Sequence, residues 1–161
     1  MTGDVPGFVI HGQPRTKKTS NRVVTVGPMC RTCGKRTGFP KVLPSEAYVE
    51  WEMAALRECV TIKAALSARG WELPIVGPVS VEAHIYLTPA ADGKLRRDVG
   101  DVAGFIQAIG DMLEAAGIIA NDRQIEDWDG TRRHADGVDP RVEVFITVLE
   151  SVPVQESLLC P

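Results

Sequence analysis

No stretch of the 161 residues approaches the roughly 18 to 20 consecutive apolar positions of a membrane span. The opening MTGDVPGFVI has neither a basic n-region nor a long apolar h-region. The expectation is therefore a chain with no secretory signal, working in a reducing cytoplasm. Cysteine is scarce, at four residues, and in that compartment it points to thiols or metal ligands before disulfides. There is no Gly-rich phosphate loop, no Ser-His-Asp pattern, no internal repeat and no linker long enough to separate two domains. What is present is an ordinary globular composition: 44% hydrophobic, 24% charged and a net charge of −3. That profile excludes disorder and a collagen-like chain. A chain this long buries most of its unfolded surface, so one domain with a real core is expected over residues 1–150, followed by a loose tail over 151–161.

The near-neutral total hides a division. Residues 1–41 hold eight basic side chains against Asp4 alone, a local charge of +7, and the remainder holds ten basic and twenty acidic residues, a charge of −10. A basic arm beside an acidic body suits a polyanion for the first and metal-binding carboxylates for the second. A solvated loop beside an acidic surface accounts for the same numbers.

Periodicity gives the elements. Phe8, Val9 and Ile10 read as a short strand, and residues 11–44 as a basic, turn-rich loop. From residue 45 on, Tyr48, Trp51, Ala55, Cys59, Ile62 and Leu66 recur every three or four positions, the stripe of an amphipathic helix with Ser45 as N-cap and Gly70 as stop. Alternation over residues 79–88 predicts a half-buried strand. A second helix runs from Asp101 to Ala116 and ends at Gly117, although Gly104 and Gly110 weaken it. Ile118 to Ala120 reads as a short extended piece, and residues 142–148 as a last strand. The class is α/β in the α+β sense: a small mixed sheet packed with two main helices.

The informative stretch is RRDVGDVAGFIQAIGDMLEAAGIIANDRQI, residues 96–125. A helix from Asp101 to Ala116 is about 22 Å long, and six extended residues from Gly117 to Asp122 travel back about 20 Å. That return sets Asp122 beside Asp101. Converging carboxylates with Arg96 and Arg97 near them are what a Mg²⁺-dependent phosphodiesterase needs. Taken singly, each acid is more readily a helix cap or a surface residue than a metal ligand.

Arg96-Arg97, then Asp101-Val102-Ala103-Gly104, Gln107, Asp111 and Asn121-Asp122-Arg123-Gln124-Ile125 resemble the motif series of the RusA-type Holliday junction resolvases. The amino-terminal half is similar too, in Gly12-Gln13-Pro14, Lys17, Lys18, Asn21-Arg22 and Leu43-Pro44-Ser45 leading to Tyr48. The likeness spans residues 8–149. It implies a homodimeric α/β nuclease, often phage-encoded, that binds four-way DNA junctions and nicks two strands with Mg²⁺ or Mn²⁺. By the same resemblance Asp101 and Asp122 correspond to metal ligands and Asp111 to a frequent helix carboxylate. Three positions depart from the family pattern. Ala103 stands where a second aspartate belongs, Gln107 where a lysine is usual, and Asn121 where the first acid of an Asp-Asp pair is usual.

Asp98 offers another register, with Asp98 and Asp101 as the acidic pair; the first register keeps the later spacings without an insertion. Ala103 is either an inactivating Asp→Ala substitution or the residue of a chain that binds junctions without cutting. Phosphate contacts are expected from Lys17, Lys18 and Arg22 on the arm, with Arg96 and Arg97 nearer the cut site. Cys30-Arg31-Thr32-Cys33-Gly34 has the form of a zinc knuckle with two ligands only; either a two-fold dimer completes a Cys₄ Zn²⁺ site, or the pair is two exposed thiols. His11, His84 and His134 are scattered and suit surface or satisfied roles. Trp51 is expected in the core, and Trp71 and Trp128 near loops, packed rather than stacked on bases.

Overall fold

A computed structural model describes residues 3–17, 22–36, 38–95, 100–136 and 138–150. In chain order the elements are β1 (Gly3–His11), β2 (Arg22–Val26), β3 (Phe39–Leu43), α1 (Glu46–Ala68), β4 (Val79–Leu87), α2 (Val102–Ala115), a 3₁₀ turn at Asp122–Gln124, β5 (Ile125–Asp127), β6 (Arg132–Ala135) and β7 (Arg141–Val148). The protein is mixed α+β, with two helices on a mixed sheet.

The alternation in β4 is complete: every odd residue from Val79 to Leu87 is buried and every even one is half-exposed. Five strands form the main sheet, ordered β1-β7-β4-β5, with β6 also on the free edge of β4. β1 pairs antiparallel with β7, and β7 antiparallel with β4, whereas β5 and β6 run parallel to β4. Val79, Val81, Ala83, Ile85, Leu87, Val142, Val144 and Ile146 present one apolar face. Against it pack Tyr48, Trp51, Ala55, Cys59 and Leu66 of α1, and Phe105, Ala108, Ile109, Met112 and Leu113 of α2. Each large side chain removed from water here contributes about 1.5 to 3 kcal/mol. The two helices touch where the Cys59 thiol meets the Met112 sulfur at 3.4 Å.

Helix punctuation follows the sequence. Ser45 caps α1, its hydroxyl accepting from the Tyr48 N–H at 3.1 Å, and Gly70 and Gly117 follow the two helices with φ of 87° and 65°. Trp51 is in the core, and Trp71 and Trp128 pack against it. Three features were not expected. The arm is not loop throughout: β2 and β3 form a separate antiparallel hairpin, with Val26 opposite Phe39 and Arg22 opposite Leu43. Its side chains are exposed on both faces, so no alternation marks it. The first strand extends to Gly3–His11 with a register shift between Val5 and Phe8, where Gly7 lies under the Phe145 ring. β5 and β6 are three and four residues long and mostly polar. The piece at Ile118–Ala120 joins the structure by a single parallel bridge from Ile119 to Ile75. Lys18, Arg96, Arg97, Asp98 and the tail 151–161 lie outside the described residues. Among the described residues no helix is long and apolar enough to cross a membrane.

Candidate functional site

α2 begins where it does because of Asp101. The residue is extended (φ −89°, ψ 170°) and its Oδ1 accepts from the Gly104 N–H at 2.8 Å, satisfying one of the donors a helix start leaves open. Within the described residues its Oδ2 has no partner. A Cβ at position 104 would stand 3.0 Å from that Oδ1 and 3.2 Å from Thr16, which is buried. The absent side chain of Gly104 thus lets Thr16 lie directly on the start of α2.

Positions 103, 107, 111 and 114 follow one another down a single edge of α2. Ala103 and Gln107 are exposed; Asp111 and Glu114 are half-buried. The Lys17 ammonium reaches Asp111 Oδ2 at 2.5 Å and stands 5.7 Å from the centre of the Tyr48 ring. Tyr48 in turn donates its hydroxyl to Glu52 at 2.7 Å. Burial, this hydrogen bond and the nearby Asp111 carboxylate push the Tyr48 hydroxyl above its ordinary range, so it stays a proton donor. Lys17, Glu52, Asp111, Glu114 and Ala115 line an open cleft of about 300 Å³ between the helices.

The loop after α2 holds Asp122 by a capping box. Asn121 accepts from the Arg123 N–H at 3.0 Å, and the Gln124 side-chain oxygen accepts from the Ala120 and Asn121 N–H groups, both at 3.0 Å. The Gln124 amide then donates to the carbonyls of Ile75 at 3.0 Å and Gly77 at 2.9 Å. Glu114 accepts from the Asp122 N–H at 3.0 Å. Asp122 therefore sits against α2, its Cβ 3.7 Å from where a side chain at Gly110 would begin.

This corrects the expected convergence. Gly110 lies nine residues beyond Asp101, about 13 Å of helix rise, so Asp122 and Asp101 stand at different levels of α2 rather than side by side. The return is shorter than a fully extended segment because Asp122 already belongs to the 3₁₀ turn. Ala103 and Gln107 occupy the edge between them. Among the described residues no three His, Cys, Asp or Glu side chains gather closely enough to hold a metal.

Both described arm cations expected on phosphate already have acidic partners, Lys17 on Asp111 and Arg22 on Glu46. Glu52, Glu114 and Gln124 were missed as site-building residues. Glu114 had a usable signal, lying one turn after Asp111 on the same helix edge; Gln124 needed a carbonyl partner 49 residues away. At the arm's tip, N–H groups of Cys33 and Thr32 donate to the Cys30 sulfur and bring its pKa down to about 7.

On the sheet face opposite the helices, Tyr86 stacks on His134 with centroids 4.7 Å apart, and the Arg141 guanidinium lies 3.7 Å from the Tyr86 ring centre. Arg141 also bonds Asp136 and Glu143, each at 2.8 Å. Burial, together with His84 and Arg132, lowers the His134 pKa and so favours its neutral ring.

A scan against protein-family models found no match for this chain, and no curated protein matches it.

Proposed function

We propose that the chain is a RusA-type Holliday junction resolvase, acting as a homodimer on branched DNA, with cutting attenuated by Ala103. The observation that carries this reading is the edge of α2 itself. Asp101 at its start and Asp122 at its side flank a row of positions 103, 107 and 111 that faces outward, next to a basic amino-terminal arm.

Aspartate oxygens are the donors a hard divalent cation takes, and the resemblance assigns Asp101 and Asp122 to Mg²⁺ or Mn²⁺, but the two stand at levels of α2 about 13 Å apart and do not fit a single ion. The donors suit such a cation in kind but not in position or number, and Ala103 has no oxygen to offer. Arg96 and Arg97, with the arm's Lys17, Lys18 and Arg22, would hold flanking phosphates. Lys17 and Arg22 would first have to exchange their carboxylate partners for phosphate, a swap favoured at low ionic strength.

A second reading is a junction-binding protein that does not cut. It is favoured by the side chains at 103 and 107, neither of which carries a charge or a carboxylate. One experiment separates them. Affinity for a four-way junction and for linear duplex is measured in EDTA or Ca²⁺, and nicking in Mg²⁺ or Mn²⁺, for the chain and for Ala103→Asp. Junction preference with nicking that rises in Ala103→Asp supports the resolvase. Junction preference without nicking in either protein supports the binding reading, and equal affinity for junction and duplex sinks both.

A further inference from the structure

The tip of the arm carries a pattern that neither reading uses. Between β2 and β3 the chain turns so that the Cys30 N–H donates to the Lys35 carbonyl at 2.8 Å and the Gly34 N–H to the Cys30 carbonyl at 3.0 Å. Gly34 takes φ 67°, a conformation glycine adopts without cost, and a bridge between Met29 and Arg36 closes the loop. Two backbone N–H groups point at the Cys30 sulfur, and the Cys33 side chain reaches the same sulfur. Cys33 is exposed and Cys30 half-exposed. A glycine-closed turn that brings the Cys33 side chain to the Cys30 sulfur is half of a tetrahedral thiolate site.

The other half is not in the same chain as described. No third His, Cys, Asp or Glu among the described residues joins the pair. Cys59 is buried between the helices, where burial pushes its thiol up to about 11.

The hairpin supplies a second, independent observation. Val26 and Phe39 face each other in register and are 52% and 88% exposed; Val23 and Val42, also paired, are 70% and 59% exposed. The two pairs lie on opposite faces of the ribbon, and the Val26–Phe39 face, with no neighbouring strand among the described residues, is the more exposed at Phe39 and calls for a cover. Residues 22–43 carry Arg22, Arg31, Lys35, Arg36 and Lys41 and no acid, so two such arms repel one another. A Zn²⁺ ion with four thiolates carries a charge of −2 and would sit among these cations, offsetting part of that repulsion at the tips.

We propose that Cys30 and Cys33 form half of a tetrathiolate zinc site completed by the same two cysteines of a second copy, so that one Zn²⁺ joins two arms at their tips. Four thiols lose their protons to solvent as the four Zn–S bonds form; nothing is oxidised or reduced. The Val26–Phe39 face of one arm then has the other arm beside it. This site uses none of the α2 carboxylates and forms whether or not those residues cut DNA.

Cobalt titration of the full-length, reduced, metal-free chain tests it. The expected result is the visible spectrum of tetrahedral cobalt bound by four thiolates, with its equivalence point at one cobalt per two chains and the bands bleached by added Zn²⁺. Cys30→Ser and Cys33→Ser each abolish the bands while the far-ultraviolet circular dichroism of the core persists. Phe39→Ser keeps every sulfur yet lowers the cobalt affinity, because the arms no longer pack. An equivalence point at one cobalt per chain overturns the proposal, as do a spectrum with fewer than four sulfurs, an absence of sulfur bands, or bands that persist in Cys30→Ser.

Discussion

Two glycines of α2 predict opposite consequences for the same substitution. At Gly110 an added Cβ would meet Asp122, Trp128 and Ile125 at 3.7 to 3.8 Å, ordinary contact distances. Alanine there gains the helix propensity that glycine lacks, about 1 kcal/mol, at no packing cost. At Gly104 the Cβ would stand 3.0 Å from the Asp101 carboxylate and 3.2 Å from two carbons of Thr16. Thr16 is 1% exposed and has no room to swing away. Relief must come from Asp101, whose displacement loses a cap of about 1 kcal/mol, or from overpacking strain of about 1 to 3 kcal/mol. Gly104→Ala should therefore destabilise by about 1 to 3 kcal/mol and Gly110→Ala stabilise by about 1 kcal/mol. For a chain of this size that separates their melting temperatures by roughly 5 to 15 °C. Urea unfolding of both variants beside the parent measures the difference directly. If Gly104→Ala equals the parent, or if both variants shift the same way, the claim that the amino-terminal segment lies tightly on the start of α2 is wrong. The same displacement would move Lys17, the neighbour of Thr16, away from Asp111.

Gln124→Ala should cost about 2 kcal/mol, because its amide serves two N–H groups and two carbonyls at once; Gln124→Glu should recover little, since the donor to Ile75 and Gly77 is gone, and urea denaturation of the pair checks this. Lys17→Ala should cost under about 1 kcal/mol, because the lysine and Asp111 side chains are 38% and 27% exposed and solvent screens the pair; a loss above about 2 kcal/mol in the same assay would show the pair to be better sequestered than its exposure implies. His134 has a depressed pKa, so the unfolded chain binds its proton first: its contribution is full above about 6.5 and fades as pH falls from there toward the lower folded value. His134→Phe keeps the stack on Tyr86 and should flatten the pH dependence of unfolding just below pH 6.5; an unchanged slope there would place the titration elsewhere.

The helices and central strands were legible because burial on one side imprints a period on the residues. Val79 to Leu87 alternates since only one face meets α1 and α2, and Ser45, Asp101, Gly70 and Gly117 punctuate helices by local chemistry that needs no tertiary partner. The hairpin escaped because VVTV and FPKVL are exposed on both faces, and burial wrote no period into them. β5 and β6 escaped for another reason: short polar segments become strands only where β4 offers an unpaired edge. The acids of the candidate site were legible as residues, yet their arrangement was not. Where Asp122 comes to rest depends on Gln124 reaching back to Ile75, and the state of Asp111 depends on Lys17, 94 positions earlier. Contacts at such separations leave no local spacing to read.

A two-stranded ribbon is marginal on its own in water, and β2 and β3 pair with no strand of the main sheet. Its opening free energy is thus nearly independent of the global stability that the core supplies. Whatever docks on the arm adds its binding energy to that local equilibrium first, by RT ln(1 + [L]/Kd), before the melting of the body registers it. Amide exchange in residues 22–43 then becomes a gauge of occupancy: metal or DNA on the arm slows it while exchange in β4 and β7 stays as it was. Protease sensitivity of the same segment reads the same gauge without labels.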